Sequence, residues 1–253
     1  MKPKKQTKVK EKIAEVTPKY DLSKLHLSEL KPLTDNQGIA IDSFTKNYNL
    51  VLHGVPGSGK TWLALALCLN EILNNKSGQQ IIIVRSVVPT RDSGYLPGSL
   101  EEKESVYLSP YIAIVNELFH DGNAWKTLVG AGVIKFISTS YIRGLTLNNA
   151  LIIVDEFQNC NYHELCSVVT RIGKNSKVYF TGDGDQSDFD NDRDRKGISE
   201  FIEILDTLKY FKKIQFTWAD CVRSGIVRDF LMSQELIKKE KQNKKSKKQV
   251  LHG

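Results

Sequence analysis

Residues Gly54-Val55-Pro56-Gly57-Ser58-Gly59-Lys60-Thr61 fit the pattern G-x-x-x-x-G-K-[ST] at every fixed position. The chemistry of that spacing is phosphate binding. Glycines permit backbone angles that side chains obstruct, so successive N–H groups converge on a phosphate at a helix N-terminus. Lys60 is expected to reach the β and γ phosphates of a nucleoside triphosphate, and the Thr61 hydroxyl to ligate Mg²⁺. Gly54 to Thr61, with Trp62 directly behind them, form the candidate nucleotide-binding set. A bare glycine turn does not account for strand, loop, lysine-threonine and helix in that order.

A second group of residues supplies the acids. Ala150-Leu151-Ile152-Ile153-Val154 is an apolar run that ends in Asp155-Glu156. Asp155 is the candidate holder of the hydrated magnesium. Glu156 is placed to orient and deprotonate an attacking water, a group that hydrolysis needs and transfer to an acceptor does not. A further run, Val178 to Thr181, leads to Gln186, whose amide is a candidate for contacting the γ phosphate or the lytic water. The glycine loop and the acidic pair are expected at the ends of two neighbouring strands.

Positioning these groups requires strands covered on both faces. Candidate strands are 49–53, 80–85, 133–138, 150–155, 177–181 and 213–218, several of them apolar on consecutive residues. Helical stretches fall between and after them at 59–74, 100–119, 162–172, 198–208 and 222–239. Strand and helix in alternation predict an α/β fold with a doubly wound, mostly parallel sheet and its ligand beyond the strand C-termini.

The net charge of +7 over 253 residues is not spread evenly. Residues 1–12 carry +5 and residues 238–253 carry +6, which leaves a body of net −4. The expected organisation is a basic, disordered tail at 1–20, one ATPase domain at 21–237 and a lysine-rich tail at 238–253. Such tails attract phosphate backbones, and solvated ends have the same composition. No apolar run reaches the roughly 18 to 20 residues of a membrane span, and the lysine-laden start lacks the apolar stretch of a secretory signal. Cys68, Cys160, Cys166 and Cys221 form no C-x-x-C pair. A reducing, cytoplasmic location without membrane contact is expected.

Weaker patterns resolve toward ordinary structure. Asp188-x-Asp190-x-Asp192 opens like a calcium loop, but Arg193 and Ser199 stand where glycine and glutamate are required. Cys160, His163 and Cys166 recur every third residue and lack a fourth ligand. Trp62, Trp125 and Trp218 read as core, while Tyr95 and Tyr107 are candidates for stacking on bases.

Taken together, the motifs resemble the PhoH-like family, whose ATPase domain is similar to the first, RecA-like lobe of superfamily-one helicases. The resemblance covers about residues 30–235. It runs through Gly54 to Thr61, Arg85, Gly94 to Lys103, Tyr141 to Ala150, Asp155 to Asn159, Thr170 to Gly173, Thr181 to Asp183, Gln186, Asp188-Phe189 and Asp220 to Ser224. It implies a Mg²⁺-dependent ATPase acting on RNA or single-stranded nucleic acid. It also implies that Gln37, within Leu33 to Gln37, reads the adenine edge. One P-loop and one sheet lack a second lobe, so a homo-oligomer, a ring or by resemblance a hexamer, is expected to supply an arginine in trans. Arg143 and Arg223 are the candidates, and Arg85 and Arg171 rank below them. The acidic run 183–194 departs from the family pattern. No RNase-type segment is evident, so nuclease activity is not expected. The compact form resembles versions common in bacteriophages. A contrasting expectation is an ATP-dependent oligomerising switch with slow hydrolysis.

Overall fold

The computed structural model describes residues 20–74, 77–87, 100–183 and 192–251. The elements among them are α1 (Asp35–Thr45), β1 (Asn49–Gly54), α2 (Lys60–Asn74), β2 (Gln80–Arg85), α3 (Leu100–Phe119) and α4 (Ala124–Gly130). They continue with β3 (Ile134–Ser138), β4 (Ala150–Asp155), α5 (Tyr162–Val169), β5 (Lys177–Gly182), α6 (Asp192–Thr207), β6 (Phe211–Phe216) and α7 (Gly225–Leu251). The strands form one six-stranded sheet in the order β3-β2-β4-β5-β1-β6, and every pairing in it is parallel. This is the doubly wound α/β class, with a parallel sheet, that the sequence leads one to expect.

Side chains alternate across each strand, and the sheet therefore carries two cores. Leu50, Leu52, Ile81, Ile83, Leu151 and Ile153 pack on one face against α2 and α3. Val51, Ile82, Val84, Ile152, Val154 and Phe180 pack on the other, against α5 and α6. Burial on both faces explains why β2 and β4 read as unbroken apolar runs. β6 differs: its central lysines, Lys212 and Lys213, are exposed, as suits an edge strand.

Three expectations need correction. The P-loop strand β1 and the acidic strand β4 are not neighbours, because β5 lies between them. The last strand begins and ends two residues early, and Trp218 belongs instead to the 3-10 turn Trp218–Asp220, closed by a capping box between Thr217 and Asp220. Helices α1 and α4 fall outside the expected helical stretches; α1 starts at a Thr34 N-cap whose side chain accepts from the backbone N–H of Gln37. At the C-terminal end, α7 continues as helix through the lysine-rich segment to Leu251. The Tyr95 and Asp188-x-Asp190 patterns lie outside the described residues.

Candidate nucleotide site

The P-loop leaves the sheet at Gly54 with φ +123°, and Gly57 and Gly59 follow at +77° and +78°. All three lie in the left-handed region that glycine tolerates. Gly54 is also required by space, since a Cβ there would stand 2.0 Å from the Phe216 carbonyl oxygen of β6. Lys60 opens α2 and turns its ammonium back into the loop, donating to the carbonyls of Gly54 (2.9 Å) and Val55 (2.7 Å) and to Ser58 Oγ (3.2 Å). Burial pulls its pKa down, while Asp183, Glu156 and Asp155 oppose that shift. Ser58 is buried and donates to the Val55 carbonyl. Trp62 is half-buried against the core beside α2.

Gln37 does not present an open amide. Its Oε1 accepts from the Leu33 N–H at 2.9 Å and its Nε2 donates to the Ser58 carbonyl at 3.2 Å. With the side chain buried and both ends engaged, Gln37 braces the P-loop from α1. The amide expected to read the adenine edge is thus engaged by the chain's own backbone.

Asp155 is where the two motifs meet. Thr61 Oγ1 donates to its Oδ1 at 2.7 Å. Thr181, at the end of the intervening β5, donates to the same oxygen at 2.6 Å, and the Tyr111 hydroxyl donates to Oδ2 at 2.7 Å. Three hydroxyls therefore converge on one buried carboxylate, each satisfying part of its acceptor capacity. The next residue, Glu156, has φ +50° and ψ +46°, a left-handed backbone that a non-glycine residue rarely adopts. This turns it away from the strand direction. Burial raises its pKa, the Asp155 charge adds to the rise, and Gln158, Arg85 and Lys60 work against it. The Gln158 amide nitrogen donates to Glu156 Oε2, and its Oε1 accepts from the Asp183 N–H at 3.0 Å. Gly182 makes room for this clamp, because a Cβ there would lie 2.1 Å from Gln158 Oε1.

The arginines separate by place. Val222 N–H donates to the Gly57 carbonyl at 3.0 Å, and the stem of Arg223 lies so close that a Cβ on Gly57 would be 2.7 Å from its Cγ. Arg223 thus sits on the P-loop of its own chain. Arg143 is exposed on the segment that follows β3, the edge strand four places from β1 in the sheet. That segment is anchored by Thr139, whose Oγ1 donates to Glu164 Oε1 at 2.5 Å. Arg85, at the end of β2, lies over the Tyr107 ring at 5.6 Å and approaches the Tyr111 hydroxyl at 3.5 Å. Tyr107 is thereby engaged by an arginine. Gln186 lies outside the described residues.

Sequence reasoning missed Thr181, Gln158 and Tyr111 as site residues. The first two carry a faint signal, standing at a strand end and two positions beyond Glu156. Tyr111 carries none, since it sits on a helix 44 positions before Asp155.

A family model described as PhoH-like protein matches residues 29–234. The chain belongs to the PhoH-like family. A PhoH-like protein of Mycobacterium leprae is 34% identical over 203 residues, which cover 80% of this chain and 57% of the relative. Protein PhoH of Escherichia coli is 32% identical over 175 residues, covering 68% of this chain and 49% of that protein. The PhoH-like chain thus spans about half the length of these relatives. Among solved structures it is similar to the large terminase of a thermophilic bacteriophage, at 12% identity and a TM-score of 0.47, covering 78% of this chain and 49% of that one. It is also similar to the helicase MrfA bound to DNA, at 14% identity and a TM-score of 0.42, covering 73% and 27%. The strand, phosphate loop and helix, with the acidic pair beside them, give this PhoH-like chain a P-loop NTPase fold. Among the described residues, no helix is long and apolar enough to cross a membrane.

Proposed function

We propose that the chain binds and hydrolyses ATP in a Mg²⁺-dependent reaction at Lys60, Thr61, Asp155 and Glu156. The observation that carries this reading is the 2.7 Å bond between Thr61 Oγ1 and Asp155 Oδ1. Magnesium prefers hard oxygen ligands in an octahedron with bonds of about 2.0–2.1 Å, whose adjacent ligands stand roughly 2.9 Å apart. A hydroxyl and a carboxylate oxygen at nearly that spacing fit the ion. When bound, it neutralises charge on the β and γ phosphates.

The chain's own residues supply the rest. Backbone N–H groups of Gly57 to Thr61 and the Lys60 ammonium bind the phosphates, with the lysine exchanging loop carbonyls for phosphate oxygens. Glu156 accepts a proton from the attacking water. A carboxylate whose pKa is raised by burial is a stronger base than an ordinary one, which suits that task. Gln158 holds one Glu156 oxygen and so fixes the direction of the other. Gln186 is assigned to the γ phosphate on sequence grounds alone.

Coupling of hydrolysis to RNA or single-stranded nucleic acid is the finer part of the proposal, and rests on the family resemblance and the lysine-rich ends. A trans arginine from a homo-oligomer belongs to the same part. A second reading, an ATP-dependent oligomerising switch, draws on α7, where Ile226 is 81% and Phe230 66% exposed one turn apart.

The testing experiment is Glu156→Gln. It should retain nucleotide binding and lose phosphate release, and equal turnover by variant and wild type would overturn the role of Glu156. Strong stimulation of wild-type turnover by single-stranded RNA supports the coupled reading. No stimulation, with a nucleotide-dependent change of mass in solution, supports the switch.

A further inference from the structure

The two oxygens of Asp155 have different partners. Oδ1 takes Thr61 and Thr181, both on the P-loop side, while Oδ2 takes only the Tyr111 hydroxyl among the described residues. Tyr111 comes from the middle of α3, outside the residues whose spacing announces a nucleotide site. It directly follows Pro110, a helix-interior proline with no N–H for the Val106 carbonyl, so the ladder is interrupted at this turn. The ring is 0% exposed and packs at a tilt against Phe136 of β3.

A phenylalanine would fill the same space. The hydroxyl is therefore the informative atom. It is buried, donates to Asp155, and has its oxygen turned toward Arg85 Nη1 at 3.5 Å. Arg85 reaches this place because Val84 of β2 is registered beside Val154 of β4, which puts the residues after each side by side. Tyr107, one turn before Tyr111 on α3, lies beneath the same guanidinium. The helix thus holds Arg85 through one tyrosine and Asp155 through another.

We propose that Tyr111 is a positioning residue for the metal site: it pins Oδ2 of Asp155 so that Oδ1, the oxygen shared with Thr61, faces the ion, and so makes Mg²⁺ affinity depend on α3. The inference rests on the Mg²⁺ and ATP reading of this site. Hydrogen bonds to a ligating carboxylate fix its orientation, and their loss typically lowers metal affinity about 10- to 100-fold.

The test is Tyr111→Phe, read by binding of a fluorescent ATP analogue in EDTA and across a Mg²⁺ titration, and by electron paramagnetic resonance of Mn²⁺ with the nucleotide present. Binding in EDTA should match wild type, while the Mg²⁺ midpoint rises about 10- to 100-fold and the Mn²⁺ affinity falls in parallel. An unchanged midpoint overturns the proposal, as does an equal loss of binding in EDTA, which marks a merely structural role. 4-Aminophenylalanine introduced at position 111 keeps a donor at the same place and should return the midpoint toward wild type. It also serves as the measured variant if the phenylalanine protein folds poorly, and a midpoint of the Tyr111→Phe kind would then overturn the proposal. Failure of the wild type to bind nucleotide under any condition would instead remove the functional reading beneath it.

Discussion

Thr61 and Asp155, 94 positions apart in the chain, share a hydrogen bond of 2.7 Å. The bond ties the first turn of α2 to the end of β4 across the intervening β5. It joins the phosphate-binding half of the site to the acidic half. The parallel sheet makes this possible, because all strands end on the same side and deliver their last residues to one edge.

Gln37 should act on the P-loop rather than on the base. Removing its amide with Gln37→Ala frees the Ser58 carbonyl and the Leu33 N–H. A bond of this kind contributes about 0.5–1.5 kcal/mol. Nucleotide affinity is expected to fall roughly 3- to 10-fold, equally for ATP and GTP analogues. Competition binding with both nucleotides checks this, and a loss confined to ATP would favour the adenine-reading role instead.

Glu156 should impose a pH dependence of definite sign. Burial first, and the Asp155 charge second, raise its folded pKa above the ordinary glutamate range. Its contribution to stability is therefore fully present below the unfolded value and lost as pH rises through the folded one. Melting curves of Glu156→Gln and wild type should show the variant gaining relative stability as pH rises from acid toward neutral. In the wild type, the acid limb of kcat/KM is expected above the ordinary glutamate range. A limb at or below that range would separate Glu156 from the chemistry.

Arg143 and Arg223 should differ when subunits are mixed. Arg223 lies on its own chain's P-loop, whereas Arg143 is exposed on the connection between β3 and β4. If an arginine acts in trans, Arg143→Ala should lower turnover by on the order of 10³-fold or more. Mixing that variant with Lys60→Ala should then restore activity, since one subunit keeps the loop and its neighbour keeps the arginine. Mixing Arg223→Ala with Lys60→Ala should restore none. Recovery in the second mixture alone would reverse the assignment.

The sequence by itself determined the local parts of this protein. The G-x-x-x-x-G-K-T loop, the strand behind it, the helix after it and the apolar run ending in Asp155-Glu156 are all written in contiguous residues, whose spacing reports backbone geometry and burial on both faces. It also determined the alternation of strand and helix, and so the α/β class. Tertiary structure alone decided the strand order. Each parallel crossover can pass over more than one neighbour, and nothing in a strand's own residues says which strand it will lie beside. The insertion of β5 between β1 and β4 follows from that choice, and with it the contact of Thr181 with Asp155. The inward turn of Gln37 and the reach of Tyr111 across 44 positions are of the same kind. A hydrogen bond between distant segments leaves no period in the sequence, because it depends on where packing brings two elements together rather than on the residues beside either partner.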